Sequence, residues 1–139
     1  MFAELDVEYL VAGGYAVIYH TQPRYTKDLD LWIKPSRENS RRIQKAFLKF
    51  GLPLVEVTAT DFESEGLQFS VGVEPCSLDF LTTIPGLCFD QAWPNRITDH
   101  SMGFPVHYVG MSDLKTAKKT AGRLVDLADL EELDRIDKA

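Results

Sequence analysis

The apolar positions of this 139-residue chain fall into short blocks whose spacing switches between that of a strand and that of a helix. Val7 to Ala12 is a short apolar run that stops at Gly13-Gly14, the pattern of a buried strand ended by a glycine turn. Tyr15 to Thr21 continues as a short helix, closed by Pro23. Lys27 to Lys34 predicts a second strand, with Leu29, Leu31 and Ile33 on one face and Asp28, Asp30 and Trp32 on the other. Pro35-Ser36 then opens a helix with Ser36 as N-cap. Ile43, Ala46, Phe47 and Phe50 form its apolar stripe and Gly51 its end.

The middle of the chain reads as strands over Leu54 to Thr60, Leu67 to Val73 and Ser77 to Thr82, with a turn at Glu65-Gly66. Pro85 to Gly103 has no period and is expected to be a long loop or irregular segment; Phe104 to Val109 is a further strand. Two helices close the chain. Ser112 is expected to cap the first, which ends at Ala121-Gly122, and Asp126 the second, with Asp129 at N3. Strands mixed with helices of this kind predict an α/β (α+β) fold: one domain over residues 1–139, with a mixed sheet and helices mainly on one face.

Composition narrows the class. The 45% hydrophobic and 26% charged fractions are those of an ordinary globular domain. No apolar run approaches the roughly 18 residues of a membrane helix, and the start of the chain lacks the pattern of a signal peptide. Cys76 and Cys88 make neither a disulfide framework nor a zinc spacing, so two reduced thiols in a cytoplasmic protein are expected. A net charge of −6 argues against general nucleic-acid binding, which needs clustered Lys and Arg. It leaves room for a local basic patch and for an acidic metal site.

Three features carry candidate chemistry. The strand–Gly13-Gly14–helix junction gathers backbone N–H groups at a positive helix end, a geometry suited to phosphate, although most Gly-Gly pairs are only turns. Asp28 and Asp30 lie on one strand face about 6–7 Å apart, close enough to repel unless a cation sits between them. A hard ion such as Mg²⁺ resolves that repulsion, whereas an isolated D-x-D on an edge strand is a solvated polar face. Asp79 interrupts the apolar strand Ser77 to Leu81, where it is a metal ligand, a salt-bridge partner or an exposed residue.

The order of these elements resembles the nucleotidyltransferase superfamily. Tyr9 to Val17, His20 and Arg24 to Trp32 are similar to its minimal bacterial branch, which includes toxin-like proteins of abortive-infection and toxin–antitoxin systems. The tail, Lys118 to Glu131, resembles that branch's closing K-x-x-x-G-R-x-x-D-x-x-D segment, so the likeness spans about Tyr9 to Leu133. It implies that Asp28 and Asp30 ligate Mg²⁺ (or Mn²⁺) carrying a nucleoside triphosphate, and that Asp79 completes the metal site and helps activate the acceptor hydroxyl. Gly13 and Gly14 would cradle phosphates and Lys118 would reach them from the far end of the chain. The implied reaction is in-line attack of a hydroxyl on the α-phosphorus, releasing pyrophosphate. Its acceptor would be an RNA 3′ end, a protein side chain or a small molecule. Many active members carry Ser after the glycines, where this chain has Tyr15.

Around this core, Tyr15, Arg24 and Thr26 are nucleotide-binding candidates, with Arg24 and Thr26 either touching phosphate or fixing the loop. Lys115, Lys118 and Lys119 share a helix face that is an anion patch or a solvated helix end. Arg123, Asp126 and Asp129 suit a local structural network, and His20 a helix-end or loop hydrogen bond. An antitoxin or a second copy of the chain is the expected partner. The alternative function is a non-catalytic nucleotide-binding or interaction module that keeps the fold.

Overall fold

The computed structural model describes residues 6–21, 28–49, 62–73, 76–101 and 103–137, with the side chains of 28, 71–73, 76 and 77 outside that description. The elements run β1 (Tyr9–Ala12), α1 (Gly13–His20), β2 (Asp28–Ile33), α2 (Arg37–Lys49), β3 (Gln68–Val73) and β4 (Cys76–Leu81). They continue with α3 (Phe89–Ala92), a 3₁₀ turn (Trp93–Asn95), β5 (Ile97–Asp99), β6 (Val106–Tyr108), α4 (Met111–Ala121) and α5 (Leu124–Asp137). The strands form one mixed six-stranded sheet in the order β3-β4-β2-β1-β6-β5. The inner pairs β2–β4 and β1–β6 are parallel; β1–β2, β3–β4 and β5–β6 are antiparallel. The expected α/β class is what the chain adopts.

Every residue of β1 is buried, because both sheet faces are covered there. On one face Tyr9, Val11, Leu31, Ile33 and Phe80 meet Ile43, Ala46 and Phe47 of α2. The Phe47 and Phe80 rings lie edge to face at 5.3 Å. On the other face Leu10, Ala12 and Trp32 meet Ala16 and Val17 of α1, Phe89 and Ala92 of α3, Leu114 of α4 and Leu133 of α5. Helices thus lie mainly on one face, with α2 on the other.

Local chemistry explains the boundaries. The Ser36 hydroxyl oxygen accepts from the Asn39 N–H at 3.1 Å and caps α2 as expected. The glycine pair forms the first turn of α1 instead of preceding it. α4 starts at Met111, one residue before Ser112, with Gly110 as its N-cap and no side-chain cap bond. Asp126 is the third residue of α5, not its N-cap: its Oδ2 accepts from the Arg123 N–H at 3.2 Å, the carboxylate half of a capping box. The stretch 85–103, expected to be irregular, holds α3, the 3₁₀ turn and β5. These pieces are too short to show a period; α3 forms because Phe89 and Ala92 bury in the cluster around Trp32, and β5 because it pairs with β6. The expected strand Leu54 to Thr60 and the expected helix end at Gly51 lie outside the described residues.

A buried polar side chain ties α2 to the sheet. Asn39 is fully buried and satisfied: Nδ2 donates to the carbonyls of Glu8 (2.9 Å) and Lys34 (3.0 Å), and Oδ1 accepts from the Glu8 N–H at 2.7 Å. It fastens α2 to the entrance of β1 and the exit of β2, so it sets how far α2 stands from the two central strands. Asn39→Ala leaves a buried donor and acceptor unmet and is expected to cost about 2–3 kcal/mol in urea unfolding. A loss below about 0.5 kcal/mol would contradict this role.

Candidate active site

Parallel pairing of β2 with β4 sets Asp30 directly beside Asp79, and Asp28 beside Ser77. Paired residues share a sheet face, so Asp30 and Asp79 project from the same side, with backbones about 4.8 Å apart. Asp28 precedes Asp30 by one strand repeat and falls on that face by alternation; its side chain is outside the description. From the next strand the Ser70 hydroxyl donates to Asp79 Oδ1 at 2.5 Å and fixes that carboxylate's orientation.

The glycine turn closes on the same point from the other flank. Ala12, the last residue of β1, pairs with Asp30. Gly13 follows at φ +62°, and a Cβ on it would sit 2.1 Å from Asp30 Oδ2. Both the left-handed backbone and the missing side chain are therefore required there. Gly14 and Tyr15 complete the first turn of α1, and Tyr15 is exposed. The far end of α1 is anchored: His20 Nε2–H donates to the Val109 carbonyl at 2.9 Å, and the Tyr19 ring stacks on Tyr108 at 4.2 Å. His20 thus takes the structural role expected of it.

Among the start of α1, the segment after β4 and the last two helices lies a cleft of about 200 Å³. Gly13 and Asp30 line one side and Lys118, Arg123 and Asp126 the other, over an apolar floor that includes Leu114. Asp79 sits in register beside Asp30 but does not line the cleft. Lys118 Nζ lies 3.0 Å from Asp129 Oδ2 and 3.4 Å from Asp126 Oδ1, and both acids are buried. Arg123 Nε donates to Asp126 Oδ2 at 2.7 Å. That hydrogen bond, helped by the charges of Lys118 and Arg123 and opposed by burial, holds the Asp126 carboxyl below the usual carboxylate range. The network expected of Arg123, Asp126 and Asp129 therefore exists, and Lys118 is its centre. Lys115, one turn away, instead binds Asp134 (3.1 Å) and Asp137 (2.6 Å).

The predicted residues Gly13, Asp30 and Lys118 thus meet around one cleft, and Asp79 stands next to Asp30. Arg24 and Thr26 lie outside the described residues. Ser70 was missed: only the strand register, invisible in a single sequence, brings it to Asp79. No group of three His, Cys, Asp or Glu among the described residues is arranged to hold a metal. The donors at hand are the carboxylates of Asp30 and Asp79, hard oxygens of the kind Mg²⁺ and Mn²⁺ take. No helix among the described residues is long and apolar enough to cross a membrane, and Cys88 is an exposed free thiol. Neither the protein-family models nor the curated proteins compared with this chain gave a match.

The Asp126 network makes stability pH-dependent with a defined sign. The folded pKa lies below the unfolded value of about 3.9, so the stabilisation is full above that value and fades as pH falls through the lower, folded one. Asp126→Asn is expected to lower stability by about 3 kcal/mol at pH 7. The gap between variant and wild type should shrink below about pH 4. A gap that stays constant from pH 7 to pH 3 in denaturant titrations would contradict the assignment.

Proposed function

We propose that this chain is a Mg²⁺-dependent nucleotidyltransferase that moves a nucleoside monophosphate from a triphosphate to a hydroxyl acceptor. The observation that carries the reading is the register of Asp30 beside Asp79, with the Gly13 backbone packed against Asp30 at the edge of a cleft. The sequence resemblance supplies the reaction; comparison with known proteins adds nothing to it.

Each residue has a defined task. Asp30 and Asp79, with Asp28, would hold Mg²⁺ or Mn²⁺. When bound, such ions neutralise charge on the phosphates and on the attacking and leaving oxygens, worth several kcal/mol of barrier. Ser70 keeps Asp79 turned in one direction, so that the carboxylate need not reorganise during reaction. The N–H groups of Gly13 and Gly14 point from the start of α1, where the helix dipole favours phosphate. Tyr15 stands beside them as a ring that can flank the nucleotide. Lys118 lines the cleft from a fixed position, because Asp126 and Asp129 hold its amine, and would meet a phosphate as a hydrogen-bond donor. The acceptor is an RNA 3′ end, a protein side chain or a small molecule, and the setting is the cytoplasm. The resemblance further suggests a toxin balanced by an antitoxin.

A second reading, a non-catalytic nucleotide-binding or interaction module, draws on two observations. Lys118 is already engaged by two acids, and a tyrosine stands where many active members have serine. Transfer of label from an α-³²P nucleoside triphosphate, alongside calorimetric titration with Mg²⁺ and that triphosphate, separates the two. Asp30→Asn is expected to keep the fold and reduce transfer by about 10³-fold or more. Wild-type binding without transfer favours the second reading, and undiminished transfer in Asp30→Asn refutes the first. Gly13→Ala should weaken triphosphate binding about tenfold or more, because the added Cβ displaces the Asp30 carboxylate; unaltered affinity would count against the turn as a cradle.

A further inference from the structure

The last helix is built inside out at its start. α5 turns Asp126 and Asp129 inward against Lys118 and turns Leu124, Val125 and Leu127 outward. Those three side chains are 87%, 54% and 46% exposed, and Ala128 beside them is exposed as well. Leu124, Leu127 and Ala128 are spaced i, i+3 and i+4, so they form one stripe along the helix. A cluster of large apolar side chains on an exposed face marks an interaction surface.

The charges bordering the stripe indicate what covers it. Arg123 precedes it, with a side chain 74% exposed that reaches Asp126 through Nε and Nη2. Glu131 follows one repeat after Leu124 and is exposed. From Arg123 to Glu131 the face therefore reads positive, apolar, negative, and Arg135, one turn further on, is paired with Glu132. Such a face is complementary to itself when turned end for end.

We propose that this face docks against the same face of a second copy of the chain, with the two α5 helices antiparallel about a twofold axis at Leu127. Leu127 then meets its own mate, Leu124 and Ala128 flank that contact, and each copy's Arg123 faces the other's Glu131. The net charge of −6 opposes non-specific self-association, so pairing depends on the apolar stripe and the two charge pairs. The contact is small, which predicts a weak dimer with micromolar or weaker affinity. Because Arg123 also lines the cleft, the second copy stands at the cleft's rim.

Sedimentation equilibrium of the full chain from about 10 to about 500 µM tests this without any assay of transfer. Wild type is expected to pass from monomer to dimer across that range. Leu127→Glu, which would set two carboxylates face to face at the axis, is expected to weaken association at least tenfold with an unchanged circular-dichroism spectrum. Should that variant misfold, cysteine cross-linking in a Cys76→Ser, Cys88→Ser background decides. Leu127→Cys is expected to give a disulfide-linked dimer. Arg135→Cys, about 12 Å further along the helix, is not. Monomeric wild type at the highest concentration, association untouched by Leu127→Glu, or equal cross-linking at both positions would overturn the proposal.

Discussion

Two carboxylates facing the same way on adjacent parallel strands are an electrostatic liability, and the arrangement around β2 and β4 follows from it. Asp30 and Asp79 are in register, so neither can move away without shifting the strand that carries Trp32 and Ile33 into the two cores. Like charges at strand spacing repel, and partial burial deepens the repulsion. The surroundings close in on both flanks. Ser70 gives its hydroxyl proton to Asp79 on one side, and the Gly13 backbone closes on Asp30 from the other. This is the environment in which a hard cation is stabilising and a hydrophobic neighbour would not be.

The same logic operates across the cleft with the signs rearranged. Asp126 and Asp129 are buried on α5, and burial of acids is tolerated only when they are paired and hydrogen-bonded. Lys118 and Arg123 supply that pairing, and Lys118 locks α4 to α5. Their geometry limits what Lys118 can do: following a phosphate would break its ion pairs with two buried acids. A lysine fixed in place by its acids is consistent with that constraint, and a swinging lysine is not. The inward turn of these acids also leaves the apolar residues of α5 facing outward, so the network inside the fold and the stripe outside it have one cause.

Much of this was legible in the sequence. Period two across Lys27 to Lys34 and Ser77 to Thr82 gave both strands and the facing of their acids, because alternation is a property of the strand itself. Ser36 and the Ile43–Phe47 stripe gave α2 for the same local reason. What could not be read was pairing. Nothing in one sequence says that β2 lies parallel to β4, that Ser70 faces Asp79, or that Asn39 reaches back to Glu8. The short elements between Pro85 and Gly103 were also hidden, since Phe89 packs on the distant Trp32 and β5 forms by pairing with β6. Asp126 was placed one helix role away because N-cap and N3 positions share a preference for acids.

The claim on which the account turns is that Asp30 and Asp79 form one cation site. Electron paramagnetic resonance of Mn²⁺, titrated into the protein with a non-hydrolysable nucleoside triphosphate, tests it directly by the loss of the free-ion signal. The account predicts uptake by wild type beyond that of the triphosphate alone, and loss of this excess in both Asp30→Asn and Asp79→Asn. Equal uptake by wild type and both variants would contradict it.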